Sequence, residues 1–449
     1  MNLPTALPED LGQLLAPYLV RQRWYAGPVD LPPSAVRVEE SRELCSTRGG
    51  SRHLYLVIVD AAGSRYQLLV GDGRGSEPAE LLLGHGDAVI AGLEGRVLYD
   101  ATVDPELACE LLAIVTGGIE VAARVRPVGA EQSNTSLVYD DRVIVKFFRR
   151  LVPGRNPDVE VTSALARVGF AHVARPLGVW RSGELDLAFA QRYLAGGSEG
   201  WALALTSLRD FYDSGVEDPA SAGGDFSMEA NRLGSVTAEL HLAMAAAFGM
   251  DEGRADAGRW ERLVSSVAER LGRAADDGLV DRDLADAAVS RLRGLDDPGP
   301  ALRVHGDFHL GQTMRADDGW YVLDFEGEPA RPKQERLAPT SPLKDVAGML
   351  RSLDYAAHVA LAERGSEAER MEGAARAWIV HNSAAFEEGY SSEEGVAALL
   401  PRGDGRELVR DAFVLDKALY ELDYERSYRP AWVPIPETAL RRITERLAG

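Results

Sequence analysis

Apolar residues recur at Leu11, Leu14, Leu15 and Leu19, the spacing of one helical face, and the stripe runs into Gln22-Arg23-Trp24-Tyr25-Ala26-Gly27, where Gly27 and Pro28 stop it. The period then changes. His53 to Asp60 and Arg65 to Val70 are β-rich runs separated by Ala61-Ala62-Gly63-Ser64, which predicts a hairpin with a four-residue loop. Pro105 to Ile114 reads as a helix with Asp104 as N-cap and Gly117-Gly118 as its end. Strand-like runs follow at Val121 to Val128, Ser136 to Tyr139, Arg142 to Phe148 and Leu187 to Leu194. The Gly-rich stretch Ala195-Gly196-Gly197-Ser198 predicts a hinge.

Beyond it the pattern is mainly helical. Met228 to Ala247 and a pair over 257–295 have helical period, and a loop of polar and small residues from Ser214 to Asp225 predicts a mobile insertion. Residues 305–325 return to short strands and loops, and helices resume from Pro342, the last over Glu407 to Arg426. The order predicts an α+β chain.

Composition narrows the function classes. The chain has 449 residues, too many for one ordinary core, with 45% hydrophobic and 27% charged residues, the balance of a globular protein. The net charge of -21 argues against nucleic acid, whose binding draws on Lys and Arg contacts to phosphates. Cys45 and Cys109 cannot make a disulfide framework. The first residues lack a basic segment and carry Pro and acids within their apolar stretch, and no run is long enough to span a membrane, so a cytoplasmic protein without membrane attachment is expected.

The densest chemistry is Val304-His305-Gly306-Asp307-Phe308-His309-Leu310-Gly311-Gln312, followed by Tyr321-Val322-Leu323-Asp324-Phe325-Glu326. Phosphoryl transfer needs a carboxylate at the attacking hydroxyl and oxygen ligands for the Mg²⁺ that bridges nucleotide phosphates. Asp307 is positioned to be the base, and Gln312 and Asp324 the metal ligands. Read singly, each of the three is equally a turn residue or a surface amide; their order and spacing favour the chemistry. No Walker or GxGxxG motif occurs, but Gly129 to Ser136 lies between two strand runs, and Ser133, Asn134, Thr135 and Ser136 offer amides and hydroxyls to phosphates. His241, His358 and His381 lie on apolar helices and read as structural; no zinc-ligand spacing appears.

The catalytic stretch resembles the aminoglycoside-phosphotransferase-like branch of the protein-kinase fold, whose loop reads H-G-D-x-H-x-x-N, with Gln312 here in place of Asn. A Gln carbonyl still offers an oxygen, one methylene further out. The chain is more closely similar to the actinobacterial maltokinase-like family, through Gln22 to Gly27, Glu131-Gln132-Ser133-Asn134, Asn156-Pro157-Asp158, Gly200-Trp201-Ala202, Asp324 to Pro329, Asp345 to Leu350 and Arg429 to Pro436. That resemblance implies a bilobal kinase fold in three parts: an N-terminal cap (1–93), a kinase N-lobe (94–195) and a mainly helical C-lobe (196–449). It implies ATP and Mg²⁺ as cofactors, Lys146 as the phosphate-pairing lysine, and backbone groups near Gln191 and Tyr193 as the adenine contact. The carboxylate partner of Lys146 is expected from the following helix, with Glu160 preferred to Asp158 as the first-turn acid.

The same resemblance places the acceptor along the C-terminal segment. His309 beside the base, Asp416, Tyr420 and Asp423 at i, i+4 and i+7 on one helix, and Trp432 are the expected sugar contacts. Asp423 stands where an apolar residue is common in maltokinases, and an extra carboxylate favours a cationic amine. A subgroup of the family phosphorylates glucosamine. The expectation is therefore an ATP-dependent sugar kinase, probed first with glucosamine as acceptor; the alternatives are a maltokinase forming maltose 1-phosphate and a kinase-shaped binding protein without turnover. A monomer is expected.

Overall fold

The structure, a computed structural model, describes residues 6–75, 77–129, 133–251, 257–328 and 332–449. The chain divides into two compact units, Met1–Glu160 with Ala174–Ala195, and Val161–Val173 with Gly196–Gly449. The Gly-rich break anticipated at 195–198 falls on the third and last crossing, where Gly196 has φ +71°.

In the first unit, helix α1 (Leu11–Leu19) precedes strands β1 (Val36–Ser46), β2 (Arg52–Ala61) and β3 (Ser64–Arg74), helix α2 (Glu77–Leu81), and strands β4 (Val89–Leu93) and β5 (Arg96–Asp100). These form an antiparallel sheet in the order β1-β2-β3-β5-β4. Its second strand reads as an unbroken apolar run because both faces are covered. Tyr55, Val57 and Val59 join Leu11, Leu15 and Leu19 of α1 in one core, whereas Leu54, Leu56 and Ile58 face another built around α3 (Pro105–Thr116). The β2–β3 hairpin turns tighter than expected: Ala61 pairs with Ser64, so the connection is Ala62-Gly63, both at positive φ.

Because β5 pairs with β3 and β4, the first sheet runs on to Asp100, past the expected subdomain boundary at 93. Asp104 caps α3 as anticipated, accepting from the amides of Glu106 and Leu107, and Gly117 ends it at φ +65°. The second sheet has the order β10-β11-β8-β7-β6, from β6 (Val125–Pro127), β7 (Asn134–Tyr139), β8 (Val143–Phe148), β10 (Pro176–Ser182) and β11 (Leu185–Arg192). A short β9 (Arg150–Leu151) returns to β3, and α4 (Pro157–Arg167) follows it in the chain.

The second unit is mainly helical. After β12 (Ser198–Glu199) come α5 (Gly200–Ser214), α6 (Ser227–Phe248), β13 (Met250–Asp251), α7 (Ala257–Asp276) and α8 (Arg282–Arg293). Strand β14 (Ala301–Leu302) and the hairpin β15 (Thr313–Ala316) and β16 (Gly319–Val322) precede α9 (Lys333–Leu337), α10 (Leu343–Ala362), α11 (Ala368–Ser392), α12 (Gly405–Tyr428) and α13 (Pro434–Ala448). Two expectations are corrected. The 214–225 loop is anchored: Pro219 is buried, Asp225 bonds Ser227 and His381, and the adjoining Phe226 stacks on Trp378. The helix expected over 407–426 is not the last, because Pro434 sits at the start of α13, where its missing N–H costs nothing. No described helix is long and apolar enough to cross a membrane.

Candidate active site

A short hairpin assembles the expected metal ligands. Thr313 pairs with Val322 across β15 and β16, and Leu323 N–H donates to the Gln312 carbonyl at 2.9 Å, which continues the register one step beyond the strands. Gln312 at one end and Asp324 at the other therefore meet, Nε2 to Oδ2 at 3.4 Å. Asp324 has φ +60°, a left-handed backbone that Asp tolerates better than most residues. A carboxylate and an amide carbonyl are hard oxygen donors, the set Mg²⁺ accepts together with waters and phosphate. The donor set fits.

The loop carrying Asp307 is tied to this hairpin and to α10. His305 Nε2 lies 2.9 Å from the Leu323 carbonyl, and its Nδ1 accepts the Asp307 amide at 3.4 Å, so the tautomer protonated at Nε2 satisfies both contacts. On α10, Asp345, Gly348 and Ser352 occupy one face and all meet the loop. Asp345 accepts from the amides of His305 (2.8 Å) and Gly306 (2.9 Å), and Ser352 Oγ accepts from Leu310 N–H at 3.1 Å. A Cβ at Gly348 would lie 2.4 Å from the Phe308 carbonyl, so only glycine lets the loop pass this close. His241, read as structural from the sequence, is fully buried between Tyr390 and Asp345.

Lys417 of α12, unmarked in the sequence reading, bonds Asp307 Oδ1 and Glu328 Oε1, each at 3.1 Å. Burial works to raise the Asp307 carboxyl, but the Lys417 ammonium and the neighbouring His309 and His305 outweigh it and hold its pKa below the usual value. His309 is shifted down by burial, assisted by Lys417, and its Nδ1 caps the Leu310–Gln312 turn by accepting from Gly311 N–H. One signal was available for Lys417: the chain has only four lysines, Lys146, Lys333, Lys344 and Lys417, among 49 basic residues. A base must be ionised to act, so removing the ammonium should raise the Asp307 pKa and move the acid limb of the kcat/KM profile to higher pH in Lys417→Met. A pH–rate profile checks this, and an unmoved limb would contradict the role given to Lys417.

In the first unit, Lys146 lies within β8, two residues before its end, opposite Ser136 of β7. Asp158 Oδ2, the acid ranked second from sequence, is 3.6 Å from its ammonium; Glu160, ranked first, also lies in the first turn of α4. Thr135 Oγ1 accepts from Arg149 Nε at 2.8 Å, which orients the hydroxyl and leaves its O–H to donate, and Ser136 is buried. Ser133 and Asn134 remain at the mouth of the strand, hydrogen-bonded to each other. Glu131 and Gln132 of that run, and Pro329 after Glu328, lie outside the described residues. Gln191, one residue before the end of β11, lies opposite Ile144, and Tyr193 N–H donates to the Arg142 carbonyl at 2.8 Å.

The expected acceptor contacts have different environments. Asp416 is buried and ion-paired with Arg270, so its carboxylate is not open to a sugar. Tyr420 is partly buried, with the Lys417 ammonium 5.2 Å from its ring centre. Asp423 is exposed. Trp432 packs on Tyr355 at 5.8 Å between ring centres and under the Arg429 guanidinium. Glu421, between these positions, is committed to the buried Arg351.

Known proteins resemble the chain throughout. Residues 18–104 match the maltokinase N-terminal cap domain, and residues 124–378 the phosphotransferase enzyme family. A glucosamine kinase of Streptacidiphilus jiangxiensis is 30% identical over 422 residues, 87% of this chain and 88% of that protein. One of Mycolicibacterium smegmatis is 29% identical over 71% of this chain and 79% of its own length. The fold is shared with a solved glucosamine kinase in complex with glucosamine, ADP and inorganic phosphate, at TM-score 0.66 and 24% identity over 97% of this chain and 99% of that one. With a match over more than half its length, the chain belongs to the phosphotransferase enzyme family and is a kinase carrying a maltokinase-type N-terminal cap.

Proposed function

We propose that the protein transfers the γ-phosphoryl group of ATP to D-glucosamine, giving glucosamine 6-phosphate, and that it does so in the cytoplasm. The observation that carries the acceptor is the 30% identity to a glucosamine kinase along 87% of the chain. The physical support is acidity: glucosamine carries an ammonium near neutral pH, and an exposed carboxylate at Asp423 attracts it where an apolar residue would not.

In the second unit Asp307 takes the proton of the attacking hydroxyl, with Lys417 keeping it ionised and His309 beside it. Gln312 and Asp324 would hold Mg²⁺, which would neutralise charge on the nucleotide phosphates. In the first unit Lys146, oriented by Asp158, takes phosphate charge, Ser133 and Asn134 offer donors, and the chain at Gln191 and Tyr193 offers backbone groups to adenine. Glu160, Thr135, Ser136 and Asp416 are given no ligand contact. Tyr420 supplies a ring face to the sugar, while the Trp432 ring, already covered by Tyr355 and Arg429, is given no stacking contact.

ADP release measured side by side with glucosamine, maltose, glucose and an aminoglycoside tests the acceptor. Glucosamine should have the highest kcat/KM, and Asp423→Asn should lower it by about tenfold, the loss of one charge-assisted contact. Preference for maltose would move the protein to the maltokinase reading; unchanged glucosamine use in Asp423→Asn would remove that residue from the amine site.

A further inference from the structure

The second unit contains a cavity of about 440 Å³ against the catalytic loop, walled in part by Gly306, the residue before Asp307. Three elements bring cations to it: Arg262 on α7, Arg336 on α9 and Lys344 in the first turn of α10. None of the three has a carboxylate partner among the described residues. Arg336 Nη1 donates to the Glu326 carbonyl at 2.7 Å, while its Nε is shielded from water and makes no hydrogen bond. Lys344 reaches the loop itself, its Nζ 4.0 Å from where a Cβ on Gly306 would stand.

We propose that this cavity binds a small phosphate-bearing anion, inorganic phosphate or a sugar phosphate, through Arg336 and Lys344. Like charges brought together without a counter-charge repel, and a dianion relieves that repulsion. Of the acids at the wall, Asp416 is already paired with Arg270, which leaves Glu335 against Arg262, Arg336 and Lys344. In a protein of net charge -21 such a local excess of positive charge is a specific feature. A guanidinium fork with an ammonium suits phosphate, and Trp260 and Phe413 give the cavity apolar walls against which a sugar ring packs.

The test uses the full-length protein saturated with Mg²⁺, a non-hydrolysable ATP analogue and glucosamine, so that the phosphoryl-transfer site is filled. Inorganic phosphate and glucosamine 6-phosphate are titrated separately by calorimetry. Saturable binding of at least one is expected, weakened about tenfold or more in Lys344→Met and in Arg336→Gln and recovered in Lys344→Arg. Tighter binding of the sugar phosphate, lost in Trp260→Ala, identifies the sugar-bearing ligand; equal binding identifies phosphate alone. Absence of saturable binding by either probe, or binding unchanged in both charge-removing variants, overturns the proposal.

Discussion

Asp307→Asn is expected to bind ATP as the unmodified protein does while its kcat falls by about two to four orders of magnitude, the usual contribution of a positioned base. The substitution keeps shape and keeps an oxygen for the Lys417 ammonium, now 3.1 Å from Asp307 Oδ1. It removes the one property that matters, a lone pair able to take the hydroxyl proton. Calorimetry with ADP and a coupled ADP-release assay separate the two effects. A kcat within a few-fold of the original would show that Asp307 is not the base. The same pair of measurements separates an enzyme from a kinase-shaped binding protein, in which the substitution would change neither quantity.

The second large effect belongs to a residue distant from the substrate. Asp345 is fully buried, and its carboxylate accepts from two loop amides and lies 3.2 Å from His241 Nε2. Asp345→Ala leaves those amides buried without an acceptor, at about 1–3 kcal/mol each, so stability should fall by roughly 3 kcal/mol or more. The loop that carries Asp307 loses its anchor in the same step, so kcat should fall as well. Asp345→Asn keeps one acceptor oxygen and should lie between. Thermal unfolding and turnover on the same samples check both; an alanine protein with unchanged melting and unchanged kcat would contradict the bracing role.

The anchor also has a pH signature. Burial works to raise the Asp345 carboxyl, but the hydrogen bond and charge of His241, with His305 and the Gly306 amide, hold it below its ordinary value. A carboxylate depressed in the folded protein stabilises fully above its unfolded pKa and loses that contribution as pH falls through the folded one. The stabilisation from Asp345 is therefore lost only on the acid side of the usual carboxylate range.

What was legible in the sequence is what local chain geometry decides. Gln312 and Asp324 flank one hairpin of two four-residue strands, so spacing alone nearly fixes their meeting, and Asp307 lies on the loop that His305 ties to that hairpin. Asp104 announced its helix for the same reason. Lys417 was not legible, because its partners Asp307 and Glu328 are 110 and 89 positions away and only the packing of α12 joins them. Asp158 and Glu160 stand two residues apart on α4, positions that do not share a helix face; that Asp158 lies beside Lys146 depends on how the helix packs, which no local pattern encodes.

Other differences have equally specific causes. Strand β5 is five residues long and its pairing with β3 spans an intervening helix and strand, so a cut at 93 looked natural from the chain alone. The oxygen of Thr135 is shared with Arg149, 14 residues on, a contact that no local pattern encodes. Asp416 has the right helical phase for a sugar contact but lies where α12 is buried, and the burial was answered by Arg270, 146 residues away.

The account stands on the second unit holding both the base and the metal ligands for one transfer. A crystal structure of the Asp307→Asn protein with ATP, Mg²⁺ and glucosamine tests that most directly, because the substrates persist unreacted. The metal should be bound by oxygens of Gln312 and Asp324, with a glucosamine hydroxyl within hydrogen-bond reach of residue 307 and directed at the γ-phosphorus. A metal bound away from both residues, or a sugar seated with no hydroxyl near residue 307, would contradict it.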